Sequence, residues 1–169
     1  VVPRLVQIAI LINPATISNA RAVQNIEAVA KISSVRLKPT NVYHQDEIET
    51  AFAAMARDGS QAIVITSDPL LNSQARHLAE LALKHRLPSI AVARRYIEAG
   101  GLMSYGERDL ENYRRAAYYV DRIFKGARPG DLPIEQPTQF EFGVNLKTAK
   151  ALGISVPRPI ILRGDKVIE

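Results

Sequence analysis

The residues that could do chemistry stand in short clusters: Asn13-Pro14-Ala15-Thr16, Ser67-Asp68, Arg94-Arg95 and Ser104-Tyr105. Between them they offer amides, hydroxyls, a carboxylate and guanidiniums, groups that hold a small polar molecule without transforming it. Machinery for covalent or cofactor chemistry is missing where it would have to stand. No GxGxxG follows the first strand, no GxxxxGK[ST] occurs, and no GxSxG elbow is found. His77 and His85 fall about two turns apart on one helix, too far to share a metal without other ligands, and His44 lies in a loop. A phosphoacceptor receiver would share the strand-helix rhythm and an acidic residue at Asp68. It would also need acids after its first strand to hold magnesium, and that loop reads Asn-Pro-Ala-Thr. A binder is therefore expected, with no metal and no cofactor.

Composition narrows the class. The chain has 169 residues, 47% of them hydrophobic, enough for an ordinary α/β domain and unlike a disordered tail. Its net charge of +5 comes from 22 basic and 17 acidic residues, scattered rather than gathered into a patch with aromatics. No nucleic-acid partner is expected from that pattern. No apolar run approaches the roughly 18 residues a membrane span needs. No signal peptide is present, which fits a cytosolic protein, a mature exported chain or a trimmed one. The absence of cysteine excludes disulfides and fixes no compartment.

The elements that must carry these clusters alternate. Residues 5–12 form a near-continuous apolar run, as in a strand buried on both faces. A helix capped at Ser18 or Asn19 follows, with Ala22, Val23, Ile26, Val29 and Ala30 inward. A polar strand over 34–38 is closed by Pro39. A helix over 45–57 sets Ile48, Ala51, Phe52 and Met55 on one face and stops at Gly59. Strand 62–66, helix 71–85, strand 88–93, a short helix 94–99 and strand 102–105 complete the rhythm. Such repeats require right-handed crossovers and a doubly wound parallel α/β sheet.

After Tyr105 the rhythm breaks. Residues 107–125 make a long amphipathic helix with Leu110, Tyr113, Ala117, Val120 and Phe124 in one stripe. Pro129, Pro133 and Pro137 then exclude regular structure over 126–137. A strand over 140–146 and a helix over 147–153 precede a proline-bearing tail. These elements are expected not to continue the sheet: the chain leaves its lobe and returns.

Ligand belongs at the carboxyl ends of the parallel strands, where the loops surround a crevice. That edge holds residues 13–16, 39–41, 67–68 and 94–95, and Ser104-Tyr105 lies at its margin. The candidate ligand-binding residues are Asn13, Ala15, Thr16, Ser67, Asp68, Arg95, Ser104 and Tyr105. Helix starts after Thr16 and Asp68 would suit a carboxylate or phosphate, and Asp68 an ammonium. Capping and turn formation are the competing structural roles for Asp68, Ser67 and Asn13.

The segments "IAILINPAT", "ITSDPLLNSQARHLAELALKHRLPSIAVARRYIEAGGLMSYG", "YRRAAYYVDRIFKGARPGDLPIEQPTQFEFGVNLKTAKALG" and "DKVIE" resemble the solute-binding proteins of bacterial ABC transporters. The likeness runs through essentially the whole chain, in order, and is to the branch that takes up tryptophan and other aromatic amino acids. It implies a type I periplasmic binding protein: two Rossmann-like lobes joined by crossing segments around a cleft, of which this chain is the second half. Residues 1–101 would be a ligand-binding lobe. Residues 102–138 would be a crossing strand, a helix and a Pro-rich connection belonging with the other lobe. Residues 139–169 would return as a strand-helix pair and tail.

The resemblance further implies capture of a small solute, delivery to a membrane permease, and a periplasmic or membrane-anchored extracytoplasmic location. The missing N-terminal lobe, or a swapped second copy, would cover the helix over 107–125. For an aromatic solute, Tyr105 and Tyr96 are the rings this half could supply. Alternative readings are a ligand-sensing regulatory domain of the same fold, which would need a DNA-binding helix-turn-helix ahead of Val1, and a small Rossmann-like enzyme.

Overall fold

A computed structural model describes residues 1–169 apart from the side chain of Asp109. Strand β1 (Gln7–Ile12) leads to helix α1 (Ile17–Ile32), β2 (Arg36–Asn41), α2 (Glu47–Arg57) and β3 (Ile63–Ile65). Helices α3 (Pro69–Ser73) and α4 (Ala75–Lys84), strand β4 (Ser89–Ala91), α5 (Arg95–Glu98) and β5 (Met103–Glu107) follow. Beyond them come α6 (Asp109–Phe124), β6 (Phe140–Asn145), α7 (Leu146–Leu152), α8 (Arg158–Ile161) and β7 (Lys166–Ile168). The seven-stranded sheet has the order β2-β1-β3-β4-β5-β6-β7. All neighbours pair in parallel except β5 and β6.

The strand order reverses between β1 and β3, so right-handed crossovers place α1 on one face and α2, α4 and α5 on the other. The second face holds the main core. There Ala9, Leu11, Ile63, Ile65 and Ala91 meet Phe52 and Met55 of α2 and Leu78 and Ala82 of α4. The expected stripe on α2 is the buried one. On α1 the expected stripe is only half-buried, and Val29 is 63% exposed, because no second helix packs beside α1 to close the groove.

Several boundaries differ from expectation for local reasons. Pro39 does not end β2, which continues to Asn41 as an edge strand, where one side has no partner to receive an N–H. The helix expected over 71–85 is two helices meeting at Gln74. The Ser73 hydroxyl donates to the Leu70 carbonyl at 2.7 Å, competing with the helical ladder just before that break. Helix α7 ends at Gly153, whose φ of 72° lies in the left-handed region that a residue without a Cβ adopts at little cost.

Helix α4 ends in a Schellman motif. The Leu87 N–H reaches the Ala82 carbonyl at 2.8 Å and the Arg86 N–H the Leu83 carbonyl at 3.0 Å. That geometry puts exposed Arg86 at φ 54°, the left-handed region glycine occupies most cheaply. Arg86→Gly should therefore stabilise the protein by about 0.5–1 kcal/mol, read as a higher urea midpoint at unchanged m-value.

The expectation that the last segments leave the sheet is corrected. Strand β6 lies antiparallel beside β5, with Ser104 opposite Gly143, and β7 pairs with β6. The chain departs at the carboxyl edge after Glu107 and re-enters at that edge at Phe140, so the return strand has to run the opposite way. Close packing at Gly143 permits it: a Cβ there would stand 2.3 Å from Ile97 Cδ1. Asp165 fastens the tail by accepting from the Phe142 N–H at 2.9 Å.

Only residues 108–139 form the excursion. No described residue of α6 is buried, and Tyr113 and Phe124 are 75% and 85% exposed. The Pro-rich segment is strapped along α6 by a bidentate Arg115–Glu135 pair and by the Tyr119 hydroxyl, which donates to the Pro133 carbonyl at 2.8 Å. The Arg115 guanidinium, 4.3 Å from the Tyr118 ring centre, holds the Glu135 carboxyl below the usual carboxylate range through its hydrogen bonds.

Candidate functional site

At the switch point the loops after β1 and β3 are joined by a buried carboxylate. Asp68 is 3% exposed and stands as the N-cap of α3, its Oδ1 accepting from the Leu71 N–H at 3.0 Å. Its Oδ2 accepts from Asn13 Nδ2 at 3.0 Å and from the Thr16 hydroxyl at 2.5 Å. The Asn13 Oδ1 in turn accepts from the Ala15 N–H at 3.0 Å, an Asx-turn that shapes the loop. Behind it Asn19, 2% exposed, donates from Nδ2 to the Asn13 carbonyl at 3.0 Å.

This network explains which residues face solvent. Asn13 and Asp68 lie beneath the surface, Thr16 is half-buried, and Ala15 and Ser67 are exposed. Asn13, Ala15, Thr16, Ser67 and Asp68 thus form one group, a polar floor whose charge is screened by the loop it organises. Asn19, expected as a cap of α1, braces this loop instead, and the N-cap position falls on Thr16. Its signal was an amide in the first turn of a helix, where a polar side chain can turn back to the preceding loop.

Arg95 belongs to the same carboxyl edge but stands after β4, two strands from β1 and so about 10 Å along the sheet. It is exposed and lines a cavity of about 650 Å³ between α5 and α6. Ser104 and Tyr105 do not join either group. Ser104 is 1% exposed on the core face, and its hydroxyl has no hydrogen-bond partner among the described residues. Tyr105 points to the opposite face, as strand alternation demands, and stacks on Phe140 at 5.8 Å between ring centres.

Tyr96 is not a wall of this edge. It is 2% exposed and donates its hydroxyl to Ser89 Oγ at 2.7 Å, and burial pushes its pKa up. The ring fills the space left by Gly101, where a Cβ would lie 2.1 Å from Tyr96 Cε1. The Gly100-Gly101 turn is pinned from below by α7: Thr148 Oγ1 donates to the Gly100 carbonyl at 2.8 Å, and Asn145 Nδ2 to the Ile97 carbonyl at 3.0 Å. Ion pairs fasten the roots of the excursion. Arg94 lies 2.9 Å from Glu98 and 3.7 Å from Glu141, and Arg108 lies 3.3 Å from Asp165.

No helix among the described residues is long and apolar enough to cross a membrane. A family model described as ABC transporter substrate binding protein matches residues 1–168. No curated protein sequence matches the chain. Among solved structures, a conserved domain protein from Vibrio cholerae superposes with a TM-score of 0.90 at 22% identity, covering 98% of this chain and 55% of its own. The ABC domain from Streptococcus pneumonia in complex with L-Trp gives 0.90 at 22% identity, with 98% and 56% covered. A ligand-free, open substrate binding protein with adhesive properties from Clostridium difficile gives 0.73 at 17% identity, with 99% and 56% covered. The chain spans little more than half the length of these structures. Their likeness is one of fold, an α/β sheet flanked by helices.

Proposed function

This chain belongs to the ABC transporter substrate binding protein family, and on that premise we propose that it forms one jaw of a two-lobed receptor that captures a small solute. The family is one of binding proteins and not an enzyme class. The observation that carries the reading is the braced polar edge at the switch point, where Asp68 ties Asn13 and Thr16 to the start of α3. Loops held in one shape lose little further freedom on binding, so their amides and hydroxyls present a preorganised surface.

In this reading residues 1–107, with the returning strands and helices of 140–169, are the lobe, and of the segment expected over 102–138 it is the excursion over 108–139 that packs with the other lobe. The exposed stripe of α6 is covered by that other lobe, or by exchange with a second copy where the chain stands alone. Solute bridges the lobes in a closed state, which a membrane permease then recognises outside the cytoplasm. An amino acid is the solute class favoured: its carboxylate faces the N–H groups at the start of α1, and its ammonium the loop over Asp68. This lobe takes the polar head, and ring contacts for an aromatic side chain are left to the opposing lobe, because Tyr96 is in the core and Tyr105 on the far face.

The test is thermal shift and titration calorimetry of the full-length protein against free amino acids, L-tryptophan first, with myo-inositol as the polyol comparison. A bound solute at a hundred times its Kd should add about 2.7 kcal/mol of stability. No response to any amino acid would overturn the solute class. Turnover of a nucleotide cofactor would overturn the binding-protein reading itself.

A further inference from the structure

We infer that the sheet face opposite the main core is covered by a helix of this same protein lying directly ahead of Val1. It rests on the two-lobed reading above only in that the chain continues there. Central strands of a parallel sheet are buried on both faces, and here one face is packed and the other is not. Ala9, Ile63 and Ala91 point into the core, so alternation turns Ile8, Val64, Ile90 and Val92 the other way. Met103 and Tyr105 join them from β5, flanking the buried Ser104. Val92, Tyr105 and Phe140 are 40%, 55% and 47% exposed. Two cavities of about 280 and 450 Å³ run along this face and share Ile90.

The opening is one helix wide. At one side α1 packs on β2, and Ile10 of β1 is fully buried on this face. At the other, Ile160 of α8 stands with Tyr105 of β5 and Phe142 of β6. Between them β3 and β4 lie uncovered, about 10 Å of sheet, and a helix with its side chains is about 10–12 Å across. The apolar stripe of α1 is only half-buried, with Val29 63% exposed, as for a helix that lacks its neighbour. What fills the gap follows from the first residues of the chain. Val1, Val2 and Leu5 already line the smaller cavity with Val64, Ile90 and Met103, so chain running on ahead of Val1 is delivered into the groove. Solved structures of this fold have that chain to give, since 55% and 56% of their length is covered here. Strands β3 and β4 have three residues each and are about 10 Å long, so about seven to ten helical residues span them. Apolar residues of that helix at i, i+3, i+4 and i+7 face Val64 and Ile90.

The test reads a thiol on that face of the full-length protein, with Ile90→Cys as its only cysteine and Gly130→Cys, in open space, as the control. Ile90→Cys should react with iodoacetamide on the order of a hundredfold more slowly than the control, as a site that is reached only by local opening. Replacing about ten residues ahead of Val1 by a Gly-Ser linker of equal length should erase that protection. Equal rates for the two thiols in the unaltered protein overturn the inference. So does protection that survives the linker, or that is lost on dilution and so belongs to a second copy. Should the linker protein fail to fold, photo-methionine at Met103 reads the same neighbour in the unaltered chain. Cross-links to residues ahead of Val1 support the helix, and cross-links only to other segments or to a second copy overturn it. Solute titration of the unaltered protein tests the two-lobed reading separately, so either can fail alone.

Discussion

Asp68→Ala is expected to lower the melting temperature by roughly 6–12 °C, corresponding to about 3 kcal/mol in a chain of this size. The substitution removes the acceptor of three hydrogen bonds at once, from Asn13, Thr16 and the Leu71 N–H. Asn13 is 9% exposed, so its amide would be left largely without solvent in place of the lost carboxylate. The Leu71 N–H sits in the first turn of a five-residue helix that depends on its cap. Asp68→Asn should cost less, because its amide oxygen can still receive the Leu71 N–H, while its NH2 now faces the Asn13 donor. In the full-length protein either change should weaken solute binding, the alanine variant more. Calorimetric titration showing unchanged affinity in the folded Asp68→Ala protein would remove Asp68 from the site and leave it as a helix cap.

Gly106→Ala should cost about 2–3 kcal/mol, the scale of an overpacked core position. A Cβ at Gly106 would stand 2.1 Å from the Val92 carbonyl oxygen and 3.0 Å from its carbon. Those are backbone atoms at the exit of β4, so no rotamer change relieves the clash and β4 has to separate from β5. Their pairing is short, Ile90 with Met103 and Ala91 with Ser104, and a small displacement loosens much of it. Gly130→Ala is the control: nothing lies within 4 Å of a Cβ there. Urea denaturation of both variants checks the expectation, and equal midpoints would mean that β5 and the β4 exit are not packed as described. Because β5 feeds the excursion, the alanine at Gly106 should also loosen the root of α6 where Gly130→Ala does not.

The strand-helix rhythm through Tyr105 was legible because each unit carries its own signal. The apolar run of β1, the i, i+3, i+4, i+7 stripe of α2 and the glycine stop of α7 are local patterns with local causes. That the loops after the parallel strands open on one carboxyl edge followed from parallel topology alone. So did the grouping of Asn13 to Thr16 with Ser67 and Asp68, since β1 and β3 are neighbours wherever the order reverses.

Other features have no local signature. Three residues, Lys166–Ile168, are too few to declare a strand, and only the open edge of β6 makes them one. Tyr96 looks like an exposed ring beside two arginines until Gly101 is seen to leave room for it. Ser104 and Tyr105 are adjacent in the chain, yet the pleat sends one into the core and the other to the far face.

Taken alone, the amino-acid sequence determined the α/β class, the order of the units through β5, and which loops share the carboxyl edge, because hydrophobic period and chain reversal are read residue by residue. Only the tertiary structure decided that β6 and β7 close onto the same sheet, that Asp68 is spoken for by its own loops, and that charges on α5 and α6 face each other across a gap. Those outcomes depend on which distant atoms reach one another, and contact between remote segments is a property of the folded whole.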